Sequence, residues 1–256
     1  MLLDMFFAPR DSAKYPPCGM FTIGHIISSI IFILVVVISV CLTVKMSEYA
    51  INKLIRVFAI IFALLEIGKI IYNFSYGYTY VDAWVPLSYC SIFIYSLLLA
   101  GFGKGKIRTV GYTFLAVAIY AGLFFMIFPT TSLMLHPIYH FLSVYSLLYH
   151  SSMIFVGTLV IIKGFVKPNG TNFLYYVLYL LIFSVISIII NSICGSNLMF
   201  YTQPYNMPIE MVVSIYKLSP VLYTAFIFIA YTALYLLFIL TYKIIKFIKE
   251  KKKNAI

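Results

Sequence analysis

The chain has 256 residues, 63% of them apolar and 10% charged, with a mean hydropathy of +1.04 and a formal charge of +11. A soluble domain is nearer half apolar and about a quarter charged, so this composition excludes a soluble enzyme and a disordered chain. The 18 basic residues are spread between long apolar runs and form no groove for a duplex, which excludes nucleic acid as a partner and points to a multi-pass membrane protein with basic cytoplasmic loops.

A spanning helix needs about 20 mostly apolar residues. Seven stretches meet that length, over 20–44, 54–74, 84–101, 108–128, 139–162, 172–193 and 219–242. The expected fold is therefore all-α, a single seven-helix membrane domain followed by a basic tail over 243–256. The third stretch is the shortest and carries Ser88, Cys90, Ser91 and Ser96, so it is expected inside the bundle. No inverted repeat and no span interrupted by an internal Gly-Pro cluster is visible, and Pro220 is expected to begin the last helix rather than break it.

Lys and Arg set the orientation. One set of connecting segments holds fourteen of them, from Lys45, Lys53 and Arg56 through to the tail lysines; the other holds three, Arg10, Lys14 and Lys217. The amino terminus should face outward and the carboxyl terminus the cytoplasm of a bacterial plasma membrane. The lysine tail should fix this topology and meet anionic lipid heads. The opening MLLDMFF lacks a basic n-region, and no cleaved signal is expected.

The four cysteines, Cys18, Cys41, Cys90 and Cys194, form no metal-type pair; a bridge between Cys18 and Cys194 would be allowed by topology but nothing supports it. With this topology the polar residues within the spans gather toward the outer side. Cys90 should lie about two turns below the surface and His150 roughly 15 Å down. Glu66, Lys69, Asn73, His25, Asn191, His136 and His140 fall in the same half.

Each has a structural reading and a functional one. Glu66 and Lys69 are helix neighbours that neutralise each other, or an intramembrane functional pair. His25 reads as an interfacial histidine and Asn191 as a helix bridge. Cys90 alone reads as a small core residue. Cys90 together with His150 reads as a thiol nucleophile with its base. His136 and His140 have the HxxxH spacing that presents two imidazoles on a helix, with Pro137 at its first turn. No aspartate accompanies them in a span, and no metal is expected.

Several short runs carry a resemblance. Val85-Pro86-Leu87-Ser88-Tyr89-Cys90 is similar to the Leu-Pro-Leu-His-Leu-Cys type of motif in YwaF-like bacterial membrane proteins, relatives of the eukaryotic transmembrane protein 164 family. Gly24-His25, Phe128-Pro129, Tyr149-His150-Ser151 and Gly195-Ser196-Asn197-Leu198-Met199-Phe200, followed by Pro204 and Pro208, resemble further family positions in order. Ser88 stands where the motif has histidine, Leu198 where it has tyrosine, and Ser151 where glycine often follows the histidine. The resemblance implies seven spans and a lipid acyltransferase with Cys90 as nucleophile and His150 as base.

The expected function is thus acyl transfer between phospholipids and lysophospholipids through a Cys90 thioester in the outer half of the membrane, without a cofactor. Glu66, Lys69, Ser88, Asn191, Asn197, His25 and His140 are the supporting candidates, with Ser88, Asn191 and Asn197 considered as oxyanion donors. The alternatives are a lipid hydrolase with the same pair, and a transporter or binding component whose outer cavity uses Glu66, Lys69, Asn191 and the histidines.

Overall fold

The computed structural model describes residues 2–9, 14–205 and 207–253. Arg10 and tail residues 254–256 lie outside the described residues, as do the side chains of Lys249, Lys252 and Lys253. Eleven α-helices are described, with no strand among these residues: α1 Leu2–Phe6, α2 Ile23–Thr43, α3 Glu48–Ser75, α4 Val81–Trp84, α5 Ile92–Phe102, α6 Gly105–Ile127, α7 Ser132–Leu135, α8 Phe141–Lys163, α9 Gly170–Cys194, α10 Glu210–Leu218 and α11 Pro220–Lys253.

Five helices, α2, α6, α8, α9 and α11, are long and apolar enough to cross a membrane. The protein is a multi-pass helical membrane protein. The expected count of seven is not reached on length and composition, for two separate reasons. α3 is 28 residues long, but Glu48, Lys53, Arg56, Glu66 and Lys69 interrupt its apolar run. The third expected span is broken: α5 has only 11 residues, about 16 Å of helix against a hydrocarbon core about 30 Å thick.

Pro86 explains that break, and it corrects the expectation of an uninterrupted span over 84–101. Proline supplies no N–H and pushes the preceding residue out of the helical region. Val85 accordingly sits at φ −77°, ψ 116°, and α4 ends before it. The helix restarts after Ser88, whose Oγ accepts the Ser91 N–H at 3.1 Å. Irregular backbone within a membrane is tolerated only where protein surrounds it or it lines a cavity; Ser88, Cys90 and Ser91 of this segment line one.

α6 and α8 form the centre, largely buried, while α2 and α11 expose long apolar faces suited to lipid. α6 packs most extensively against α8. Glycine makes the approach close: a Cβ on Gly122 would stand 2.6 Å from the His150 carbonyl oxygen. α11 begins at Pro220 as expected, but continues unbroken to Lys253, so the described part of the basic tail is the last turns of that helix. The connection from α9 folds back into the bundle, with Leu198, Met199 and Tyr201 buried. Tyr231, Tyr223 and Thr224 of α11 donate to the carbonyls of Met199, Phe200 and Tyr201 at 3.0, 2.8 and 2.8 Å.

Candidate active site

A cavity of about 240 Å³ lies at the end of the bundle where α3 finishes and α8 begins. Its walls come from the last turns of α3, the chain from Tyr78 to Ser91, the segment from Thr131 to His136, and the first turns of α8. Of the expected site residues, Cys90, His150, Glu66, Lys69 and Ser88 line it; Asn191, Asn197, His25 and His140 do not.

Cys90 sits in the turn that leads into α5. The first backbone bonds there run from Ile92 to Tyr89 and from Phe93 to Cys90, at 3.3 and 3.0 Å. The N–H groups of Tyr89 and Cys90 precede this ladder and are not used by it. Ser88 and Ser91 exchange a 2.7 Å hydroxyl bond at the head of the turn. Ser88, which occupies the motif's histidine position, therefore caps a helix start, and its hydroxyl is engaged in doing so. The Cys90 carbonyl accepts the Tyr149 hydroxyl at 2.8 Å, which ties this turn to α8.

His150 follows Tyr149 on α8. Its Nδ1 lies 2.7 Å from the Ser146 carbonyl oxygen. A carbonyl only accepts, so Nδ1 carries the hydrogen and the neutral ring keeps its lone pair on Nε2. Phe125 of α6 stacks on the imidazole, with centroids 3.7 Å apart and planes 6° apart, which fixes the ring plane.

Glu66 and Lys69, on successive turns of α3, form an ion pair. The other Glu66 oxygen accepts the Tyr145 hydroxyl at 2.6 Å. Asp82 stands at the cavity wall outside the membrane-spanning helices and accepts the Asn197 N–H at 2.8 Å. Burial pushes the Asp82 carboxyl up from the ordinary range, and the Asn197 N–H opposes that rise.

The remaining candidates hold the frame. His25 Nδ1 accepts the Phe21 N–H at 3.0 Å, leaving Nε2 to donate to the Met126 carbonyl at 3.1 Å, so this ring joins the head of α2 to the end of α6. His140 is the N-cap of α8: its Nδ1 accepts the Leu142 N–H at 3.1 Å, and its Nε2 meets the Ala8 carbonyl and the Tyr72 hydroxyl at 3.0 and 2.9 Å. The HxxxH pair is not on a helix: His136 is extended and α8 starts only at Phe141, so both residues lie in the segment that leads into α8. The two rings stack at 4.1 Å.

Asn191 clasps Leu198 through both its amide atoms, at 3.0 and 2.8 Å, and accepts the Ser196 hydroxyl. Asn197 holds Thr202 and Gln203 in the same way. Both are loop clasps. Cys18 and Cys194 are free thiols.

Sequence reasoning missed Tyr145, Tyr149, Phe125 and Gly122. The signal for the first two was an i, i+4 tyrosine pair ending beside His150, hidden among 23 tyrosines. The other two act through packing and leave no polar signature.

No curated protein matches the chain, and no solved structure does. A family model does match, over residues 20–245, which include both halves of the broken segment and every helix that walls the cavity. The chain belongs to the TMEM164 family.

Proposed function

We propose that the protein is a phospholipid acyltransferase of the cell membrane, with Cys90 as nucleophile and His150 as base. The observation that carries this reading is that one small cavity, walled from one end of the bundle, is lined by both residues. Three further features support it. The lone pair of His150 is on Nε2, the nitrogen not bound to Ser146. Tyr149 holds the turn that carries Cys90. The volume of about 240 Å³ suits a head group and an ester but not acyl tails, which would stay in the surrounding lipid.

In this reading His150 Nε2 takes the Cys90 proton and the thiolate attacks an ester carbonyl of the donor lipid. The carbon–oxygen bond breaks, the departing alkoxide takes the proton from His150, and the acyl group remains as a Cys90 thioester. His150 then takes a proton from the acceptor lysolipid hydroxyl. Its oxygen attacks the thioester, and the sulfur leaves and is reprotonated. This reading assigns the oxyanion to the Cys90 N–H, which precedes the α5 ladder on a residue that lines the cavity. We place α3 and the segment over 84–101 as two further crossings, which restores seven, with the amino terminus outside and the lysine-rich end of α11 on cytoplasmic anionic lipid.

A transporter is the second reading. The broken third segment favours it, since transporters build sites from interrupted helices; the position of the cavity at one end of the bundle counts against it. The test is lipid mass spectrometry on cells expressing wild type, Cys90→Ala or His150→Ala and given a tagged lysophospholipid. Acylation by wild type alone supports transfer. Release of free fatty acid instead identifies a hydrolase. Three identical lipid profiles reject catalysis by this pair.

A further inference from the structure

The Glu66–Lys69 pair has a free side, and its chemistry decides what can bind there. Glu66 gives one oxygen to Lys69 and the other to Tyr145, so each of its oxygens already has a partner. Lys69 is different. An ammonium has three donors; Glu66 is the only acceptor that meets it among the described residues, and its side chain remains 20% exposed. It is the only lysine or arginine among the residues lining the cavity. What the pair offers a ligand is therefore a positive donor, and the ligand group that fits is an anion.

α8 braces both the ion pair and the turn that carries the thiol. Tyr145 braces the ion pair and Tyr149 braces the Cys90 turn, at 2.6 and 2.8 Å. The two tyrosines are four residues apart on one helix face, about 6 Å along the axis. A glycerophospholipid carries an ester and a phosphate on neighbouring glycerol carbons, and Cys90 and Lys69 line one cavity. A neutral acylglycerol has the ester but nothing for the ammonium.

We infer that Lys69, held by Glu66 and Tyr145, is the specificity-determining contact for the phosphate of a glycerophospholipid whose ester lies at Cys90. This rests on the acyl-transfer reading only for the identity of the reacting ester; the phosphate contact stands without turnover. Lys69 and Glu66 are not catalytic groups here: one holds the ligand and the other holds Lys69.

The test is native mass spectrometry of the full-length chain in detergent. The probes are equimolar lysophosphatidylglycerol and monoacylglycerol with the same acyl chain. The proteins are wild type, Lys69→Arg, Lys69→Met and Tyr145→Phe, each checked for an unchanged melting profile. Wild type and Lys69→Arg should retain the phospholipid over the neutral lipid by about tenfold, equivalent to about 1.4 kcal/mol. Lys69→Met should lose that preference. Tyr145→Phe should weaken it with the cation still present, and this variant keeps the test open if Lys69→Met fails to fold.

Millimolar inorganic phosphate separates the two sources of the anion. Phospholipid retention should survive it, and displacement by free phosphate would replace the lipid contact with a plain anion site. An equal preference in wild type and Lys69→Met, or none in wild type, overturns the proposal. If the preference depends on Lys69 while no protein transfers acyl groups, the phosphate contact stands and the acyl-transfer reading falls.

Discussion

The Tyr149 hydroxyl donates to the Cys90 carbonyl oxygen at 2.8 Å, across 59 residues of sequence. Because Tyr149 precedes His150, two adjacent residues of α8 meet the turn that carries Cys90 and supply a histidine to the cavity wall. Helix α5 starts at that turn, so its register relative to α8 depends on this bond. Removing the hydroxyl leaves the Cys90 carbonyl with the Phe93 N–H as its remaining donor, at a cost of about 0.5–1.5 kcal/mol for the lost hydrogen bond.

Tyr149→Phe should therefore lower the melting temperature modestly and slow acyl transfer by about tenfold, about 1.4 kcal/mol in the barrier. The ring packing against Phe62 and Phe93 is retained in this variant. Thermal melts paired with initial rates at a temperature where both proteins are folded separate the two effects. An unchanged rate would show that the bond does not position the thiol.

Gly122 is the contact point between α6 and α8. Its Cβ would meet the His150 carbonyl oxygen at 2.6 Å and Ile154 Cγ1 at 2.8 Å. Gly122→Ala should destabilise the protein by about 1–3 kcal/mol through overpacking and displace His150 from the cavity wall. Gly68 on α3 has nothing within 4 Å of the same position, so Gly68→Ala is the control and should be neutral or slightly stabilising. Equal melting temperatures for the two variants would contradict the close approach.

Asp82 makes a prediction about pH. Its carboxyl is raised by burial, so the folded chain holds the proton more tightly than the unfolded chain does. Such a group contributes most below its unfolded value, about 3.9 for aspartate, and that contribution is lost as pH rises through the raised folded value. Asp82→Asn keeps an oxygen for the Asn197 N–H and removes the titration. The melting temperature of wild type minus that of the variant should decline as pH is raised from about 4. A difference that stays level across the range would rule out a buried, raised carboxyl.

Orientation can be read with thiols. Cys41 and Cys194 are both exposed, near the carboxyl ends of α2 and α9. With the amino terminus outside, Cys194 should react with a membrane-impermeant maleimide in intact cells when it is the sole cysteine, and sole Cys41 should react only after lysis. The reverse pattern would invert the topology.

The supporting residues divide along a physical line that the sequence does not display. Asn191, Asn197, His25 and His140 share the polarity and the expected depth of Glu66, Lys69 and Ser88. Yet the first four spend their hydrogen bonds on nearby loop and helix ends. The expected topology puts all seven in one half of the membrane; the structure puts three of them on the cavity wall. The same limit applies to the third span. Pro86 was visible, but an apolar run around one proline reads as a continuous helix until the capping by Ser88 shows where it restarts.

The sequence by itself determined what depends on local rules. Apolar runs of this length become helices, since a helix satisfies its backbone groups within the segment where water is absent. The limits of α6, α8 and α9 accordingly fall within three residues of the expected spans. The tertiary structure alone decided what depends on contacts between distant segments. It set the Nδ1–H tautomer of His150 and its stacking on Phe125, the Tyr149 clamp on Cys90, and the Tyr145 brace on the ion pair. Apolar periodicity encodes which residues avoid water, but not which two helices pass close enough for one hydroxyl to reach another chain segment's carbonyl.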